Sequence, residues 1–213
     1  MLNMKVLFAT NNAGKVERYR KLLRDTGIEL VTPKDLGIEP ENVEENGKTL
    51  AENAELKARA YFGKTDFPIL SNDAGFYVEG EGFVDAPKRI SLNGRNEHTL
   101  SNEEIAEAMT KFWQGIADKY GGQVNAAWVE EFVLLMPDGS VCTAPCRREV
   151  VLTNTVHGDT HIQFPVRALY IAKATGKPSA LHTPEEDDIE LAPIRDALIS
   201  LVVPLELETE VHH

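Results

Sequence analysis

The spacing of apolar residues along this chain changes period several times, and each change marks an element. Met4 to Ala9 is a short β-rich apolar run, broken by Asn11, Asn12 and Gly14. From Lys15 to Asp25, Val16, Tyr19, Leu22 and Leu23 fall at helical spacing, and Gly27 provides a stop. Ile28 to Thr32 then reads as a second strand. Thr49-Leu50-Ala51-Glu52 has the order of a capping box and predicts a helix to about Phe62. Pro68 to Ser71 predicts a short buried strand ending at Asn72-Asp73, with Gly75 permitting a sharp turn. Ser101-Asn102-Glu103-Glu104 opens a helix whose Ile105, Ala108, Met109, Phe112 and Ile116 share one face, and Gly121-Gly122 closes it. Val124 to Met136 is a long apolar strand, and Pro137-Asp138-Gly139 is a hairpin turn into Ser140 to Cys146. Glu149 to Thr153 and Ala168 to Lys173 are further strands. Thr183-Pro184-Glu185-Glu186 sets a cap, an N1 proline and an N3 glutamate before a closing helix that Pro193 should kink or restart.

A strand–helix–strand opening of this kind predicts an α/β fold with its active edge at the strand ends. The expected architecture is a mixed, elongated central sheet flanked by helices, in two lobes with a cleft between them. Residues 1–203 should form one domain, and Pro204 to His213 a mobile tail. Composition changes this picture little: 42% hydrophobic and 26% charged residues are ordinary for a globular protein. No apolar run approaches the roughly 20 residues that cross a bilayer, and no basic segment precedes an apolar core as in a leader peptide. The expectation is therefore a cytoplasmic protein that touches no membrane. Cys142 and Cys146, the two cysteines, then read as free thiols. The net charge of −12 argues against a nucleic-acid polymer as partner, since a phosphate backbone needs a basic face. It leaves room for a small phosphorylated ligand held by a few local cations and a metal.

Two stretches carry candidate chemistry. Thr10 to Lys15 is an amide-rich turn into a helix start, where backbone N–H groups and a lysine can attract an anion and Asn12 can add a donor. It lacks the full Walker spacing, and the plainer reading is a loop that only turns the chain. Glu44 and Glu45 lie on a loop before a helix, where a carboxylate can hold Mg²⁺, or both can be solvated surface. Asn53 and Lys57, four apart, share a helix face that either touches phosphates or is ordinary surface. Asp73, after an apolar strand, can bind Mg²⁺ or accept a proton from attacking water, or it can close an Asx-turn. The histidines show no paired ligand spacing.

With these residues named, the N-terminal half resembles the Ham1 family of inosine triphosphate pyrophosphatases. Phe8-Ala9-Thr10-Asn11-Asn12-Ala13-Gly14-Lys15 is similar to the family's opening Thr-x-Asn-x-x-Lys signature. Glu44 to Ala58 resembles its Glu-rich loop and Glu-Asn-Ala-x-x-Lys-Ala helix. Ser71-Asn72-Asp73-Ala74-Gly75-Phe76 resembles its Ala-Asp-Asp-Ser-Gly-Leu motif, with Asn72 in place of the first aspartate. The resemblance implies Mg²⁺-dependent hydrolysis of a nucleoside triphosphate to monophosphate and pyrophosphate, by a homodimer. Carried onto this chain, Thr10, Asn12, Lys15, Asn53 and Lys57 would hold phosphates, Glu45 would bind Mg²⁺, and Asp73 would bind metal or activate water. Arg89 would correspond to the arginine after the aspartate motif, and Arg195 would keep one late contact. The second half departs: the Gly-Phe-Gly-Tyr-Asp-Pro segment has Gly158 to Val166 as its nearest counterpart, and the late Ser-His-Arg is replaced around Ala192 to Arg195. The alternatives are a nucleotide sensor with weakened hydrolysis, or a pyrophosphatase for another modified nucleotide.

Overall fold

The computed structural model describes residues 4–162 and 164–210, with side chains to residue 202. The chain divides into two compact units, one of Met1–Ala74, Glu130–Cys146 and Pro193–His213, the other of Gly75–Val129 and Arg147–Ala192.

The first unit is built on the predicted strand–helix–strand. β1 (Met4–Phe8) runs into α1 (Ala13–Leu22), which returns to β2 (Ile28–Val31), parallel to β1 with Met4 opposite Ile28 and Leu7 opposite Val31. After α2 (Leu50–Arg59), β3 (Ile69–Val78) pairs parallel with β1 on its other side, Leu7 opposite Ile69. Side chains of a strand alternate between faces, so each strand serves two helices. Phe8 and, from β5 (Gln123–Leu135), Phe132 pack on Tyr19 of α1, with ring centroids 5.2 and 5.6 Å apart. Leu7, Ile69, Val133 and Leu135 pack with Ala54 and Ala58 of α2. The small alanines let α2 lie close to the sheet.

β3 is longer than its sequence predicts. Instead of stopping at Asn72-Asp73 it continues to Val78, and Gly75 lies within the strand rather than in a left-handed turn. Turn-forming side chains are tolerated here because each has a partner: Ser71 Oγ donates to Ala54 O at 2.5 Å, Asn72 meets groups on α1 and β5, and Asp73 meets α2.

In the second unit, β4 (Gly82–Phe83) pairs antiparallel with the end of β3 and leads to α3 (Pro87–Leu92) and α4 (Asn102–Lys119). Ser101 caps α4 with the full reciprocal box to Glu104, as predicted. Trp113 and Ile116 of α4 pack on Phe76, Val124, Val150 and Leu169, with Phe76 edge-on to Trp113 at 5.1 Å. The Pro137-Asp138-Gly139 hairpin is present, Met136 N donating to Ser140 O at 2.9 Å. The strand segments predicted on either side of Arg147 are one strand, β6 (Val141–Thr153), followed by β7 (Tyr170–Ala172) and β8 (Lys177–Pro178). The hydrogen-bonded order is β2-β1-β3-β5-β6-β7-β8, with β4 beside β3.

Thr183 caps the closing helix α5 (Pro184–Glu210), its Oγ1 accepting from Glu186 N while Glu186 accepts from Thr183 N. Pro193 does not restart α5, which is assigned as one helix through it, and the backbone from residue 204 to Glu210 is its last part. Residues 211–213 lie outside the described residues. Behind the start of α5 sits a buried charged cluster: Glu190 accepts from Arg148 Nη1 (3.1 Å), Tyr170 Oη (3.0 Å) and Ser179 Oγ (2.7 Å). Burial and the Glu190 carboxylate push the Tyr170 hydroxyl up to about 12. His182 Nδ1 lies 3.3 Å from Asp187 and 3.2 Å from Glu190, a grouping that sequence spacing did not disclose.

Candidate active site

The loop at the carboxyl end of β1 opens onto a cavity of about 510 Å³, the kind of position at which open α/β sheets present ligands, and β3, parallel to β1, adds Asn72 from within the strand. Thr10, Asn12, Lys15, Glu45, Lys57 and Asn72 line it, and all belong to the first unit.

The turn after β1 is organised by its own side chains. Thr10 Oγ1 accepts from Asn12 N at 3.2 Å, and Asn12 Oδ1 accepts from Lys15 N at 3.0 Å, making Asn12 the N-cap of α1. No acid stands in the first turn of α1, and Lys15 instead puts a cation at the positive end of the helix dipole. That arrangement costs stability and suits an anion. Burial holds the Lys15 ammonium below its usual range, opposed first by Glu130 and then, beyond the repulsion of Lys57, by Asp73 and Glu45.

The acidic loop is strapped to α2 at two points. Glu41 N donates to Tyr61 Oη at 2.8 Å, and Gly47 N donates to Asn53 Oδ1 at 2.8 Å. Thr49 caps α2 through Glu52 N, but the Glu52 carboxylate accepts from Lys48 N, one residue before the position a capping box uses. Between the straps, Glu45 Oε2 lies 3.1 Å from Lys57 Nζ. Glu44 is exposed.

Alternation along β3 divides the work of its two polar neighbours. Asp73 points to α2, its Oδ1 accepting from Lys57 Nζ at 2.8 Å and its Oδ2 from Asn53 Nδ2 at 3.4 Å. Asn72 points to α1, its Oδ1 accepting from Lys15 Nζ at 3.3 Å. The shared helix face of Asn53 and Lys57 thus meets Asp73, and Glu45 and Asp73 converge on one ammonium. Glu45 and Asp73 thus present two carboxylates, the hard oxygen donors that Mg²⁺ prefers, to one ammonium.

Arg89 belongs to the second unit, exposed, 3.6 Å from Asp85. Arg195 is exposed on α5 and does not line the cavity. Sequence reading passed over Glu130 and Tyr19. Glu130 is 3% exposed and accepts from Tyr19 Oη at 2.8 Å and Asn72 Nδ2 at 3.2 Å. Its signal was a charged residue inside the apolar run of β5, one position from Glu131, where a strand buried on both faces should carry none.

Solved structures share this fold. The chain aligns with a dITP/XTP pyrophosphatase from Mycobacterium abscessus at TM-score 0.67 and 24% identity, covering 93% of this chain and 99% of that one. A HAM1 protein from Coxiella burnetii gives TM-score 0.68 at 18% identity, covering 96% and 99%. The class is therefore a Ham1-type mixed α/β fold. Residues 6–160 match the Ham1 family, and the chain belongs to that family. Among curated relatives, a dITP/XTP pyrophosphatase of Corynebacterium glutamicum (strain R) is 31% identical over 139 residues, 64% of each chain. One of Aquifex aeolicus (strain VF5) is 45% identical over 76 residues, 36% of each. The matched stretches span less than two thirds of these relatives.

Proposed function

We propose that this chain is a Mg²⁺-dependent nucleoside triphosphate pyrophosphatase, releasing monophosphate and pyrophosphate, with a non-standard purine triphosphate such as dITP or XTP as substrate. The observation that carries the reading is the convergence of Glu45 and Asp73 on Lys57, which lines the same cavity as Lys15 of α1. Lys15 and the first N–H groups of α1 would bind phosphate oxygens, and Lys57 would neutralise charge building on the leaving pyrophosphate. Glu45 and Asp73 would hold the metal, which when bound offsets phosphate charge and acidifies water. Asp73, fixed by Asn53 and Lys57, is positioned to accept the proton of the attacking water. Asp73→Asn is expected to lower pyrophosphate release by about 100-fold or more with an unchanged melting temperature, and chelation should abolish turnover until Mg²⁺ is restored. Near-normal release by that variant overturns the assignment.

Asn72 motivates a second reading, because it removes a carboxylate from the motif of the resemblance: a nucleotide-binding sensor. Calorimetry beside the release assay separates the two, tight binding under saturating Mg²⁺ with no product favouring the sensor. The homodimer implied by the resemblance is part of the proposal, and sedimentation at about twice the 23.6 kDa chain mass tests it.

A further inference from the structure

We propose that Glu130 is a positioning residue for Lys15, acting through Asn72, and that positions 72 and 130 together carry one carboxylate. Asn72 bridges the two: its Oδ1 accepts from Lys15 Nζ at 3.3 Å, and its Nδ2 donates to Glu130 Oε2 at 3.2 Å and to Tyr19 Oη at 3.0 Å. An amide has a donor end and an acceptor end, and only this orientation sets the donor against the acid and the acceptor against the ammonium. The acid therefore fixes which way Asn72 faces, and Asn72 in turn fixes where Lys15 meets the cavity. Tyr19 Oη, 2.8 Å from the same carboxylate oxygen, ties that oxygen to α1, the helix that bears Lys15.

A carboxylate at both 72 and 130 would set two like charges side by side in a buried place, 3% exposed at each residue. A carboxylate at neither would take from Lys15 the negative group that offsets its burial most, ahead of Asp73 and Glu45. One acid is the stable count, and in this chain it stands on β5 rather than β3. A carboxylate with no task at this depth would be replaced by an apolar side chain at little cost or a gain.

The inference rests on the pyrophosphatase reading, so the experiment has one readout that needs catalysis and one that does not. Wild type, Glu130→Gln, Asn72→Asp and the double variant are compared by pyrophosphate release under saturating Mg²⁺ and by melting temperature without nucleotide. Glu130→Gln is expected to keep its melting temperature near wild type and lose about 10- to 100-fold in kcat/KM, the range for a residue that orients a ligand-binding group. Asn72→Asp alone should melt lower. The double variant, with its acid moved back one strand, should recover most of both losses, a rescue that a merely structural Glu130 does not produce. Should Glu130→Gln fail to fold, the double variant decides alone, since it restores the charge. Wild-type turnover in Glu130→Gln, a double variant no more active than Glu130→Gln or unfolded, or additive melting shifts would overturn the proposal. A wild-type protein that releases no pyrophosphate would instead sink the pyrophosphatase reading, and the melting cycle would still report whether the two positions share one charge.

Discussion

Lys15 and Glu131 show how single residues accept an unfavourable setting. Lys15 stands at the positive end of α1 with its pKa lowered by burial, and an anion bound there would offset both costs. Glu131 is half-buried on β5, and burial pushes its carboxyl above the ordinary 4.5. Between the unfolded and folded values the folded chain holds the extra proton, so stability falls as pH rises through that window. Glu131→Gln should therefore melt above wild type at neutral pH, and the advantage should vanish at about pH 3.5, where both forms are neutral. A melting temperature at or below wild type at neutral pH would contradict the sign. At this scale the sequence marked Asn12, Lys15 and Glu45 by the turns and helix starts beside them, and Asp73 by a turn signal that the structure shows as strand. It hid Glu130, because nothing in a strand's own pattern says which buried acid has a tyrosine and an amide waiting across the sheet.

Elements are where reading by propensity met its limit. α2 and α4 begin where their caps predict, because a cap is decided by three or four neighbouring residues, whereas α1 starts at Ala13, two residues before its predicted start, with Asn12 as its cap. β3 runs to Val78, past the predicted end at Asn72-Asp73, because Ser71, Asn72 and Asp73 find partners on α2, α1 and β5, which local sequence cannot display. The Glu41–Gly47 loop is a third case, held by Tyr61 and Asn53 rather than by backbone pairing of its own. Gly47 has no room for a side chain: a Cβ there would lie 2.7 Å from Asn53 Oδ1 and 2.8 Å from Glu52 Cβ. Gly47→Ala should cost about 1–3 kcal/mol by overpacking. It should also weaken nucleotide turnover more than an exposed substitution such as Glu44→Gln, because Asn53 must move and Asn53 braces Asp73. Equal melting and equal turnover in the two variants would remove the loop's rigidity from the account.

Across the whole molecule, each unit carries its own core and its own buried polar group. In the first, the buried acid Glu130 accepts from Asn72, which lines the cavity; in the second, Glu190 joins Arg148, Tyr170 and Ser179 from separate stretches of the chain. Glu190→Ala leaves Arg148 buried without that partner and should destabilise by about 3–5 kcal/mol; a loss under about 1 kcal/mol would mean the pair behaves as a surface bridge. The strand–helix–strand opening and the motifs of the first hundred residues made the fold class and the main site groups legible. The second unit was less so, since its charged cluster is assembled from β6, β7, the turn at Ser179 and α5.

The central claim concerns which bond is cut, and product identity tests it most directly. A purine nucleoside triphosphate incubated with the wild-type chain and Mg²⁺ should give one pyrophosphate for each monophosphate, with no orthophosphate. Stepwise release of orthophosphate with accumulating diphosphate, or no product from any triphosphate at saturating Mg²⁺, would contradict the account.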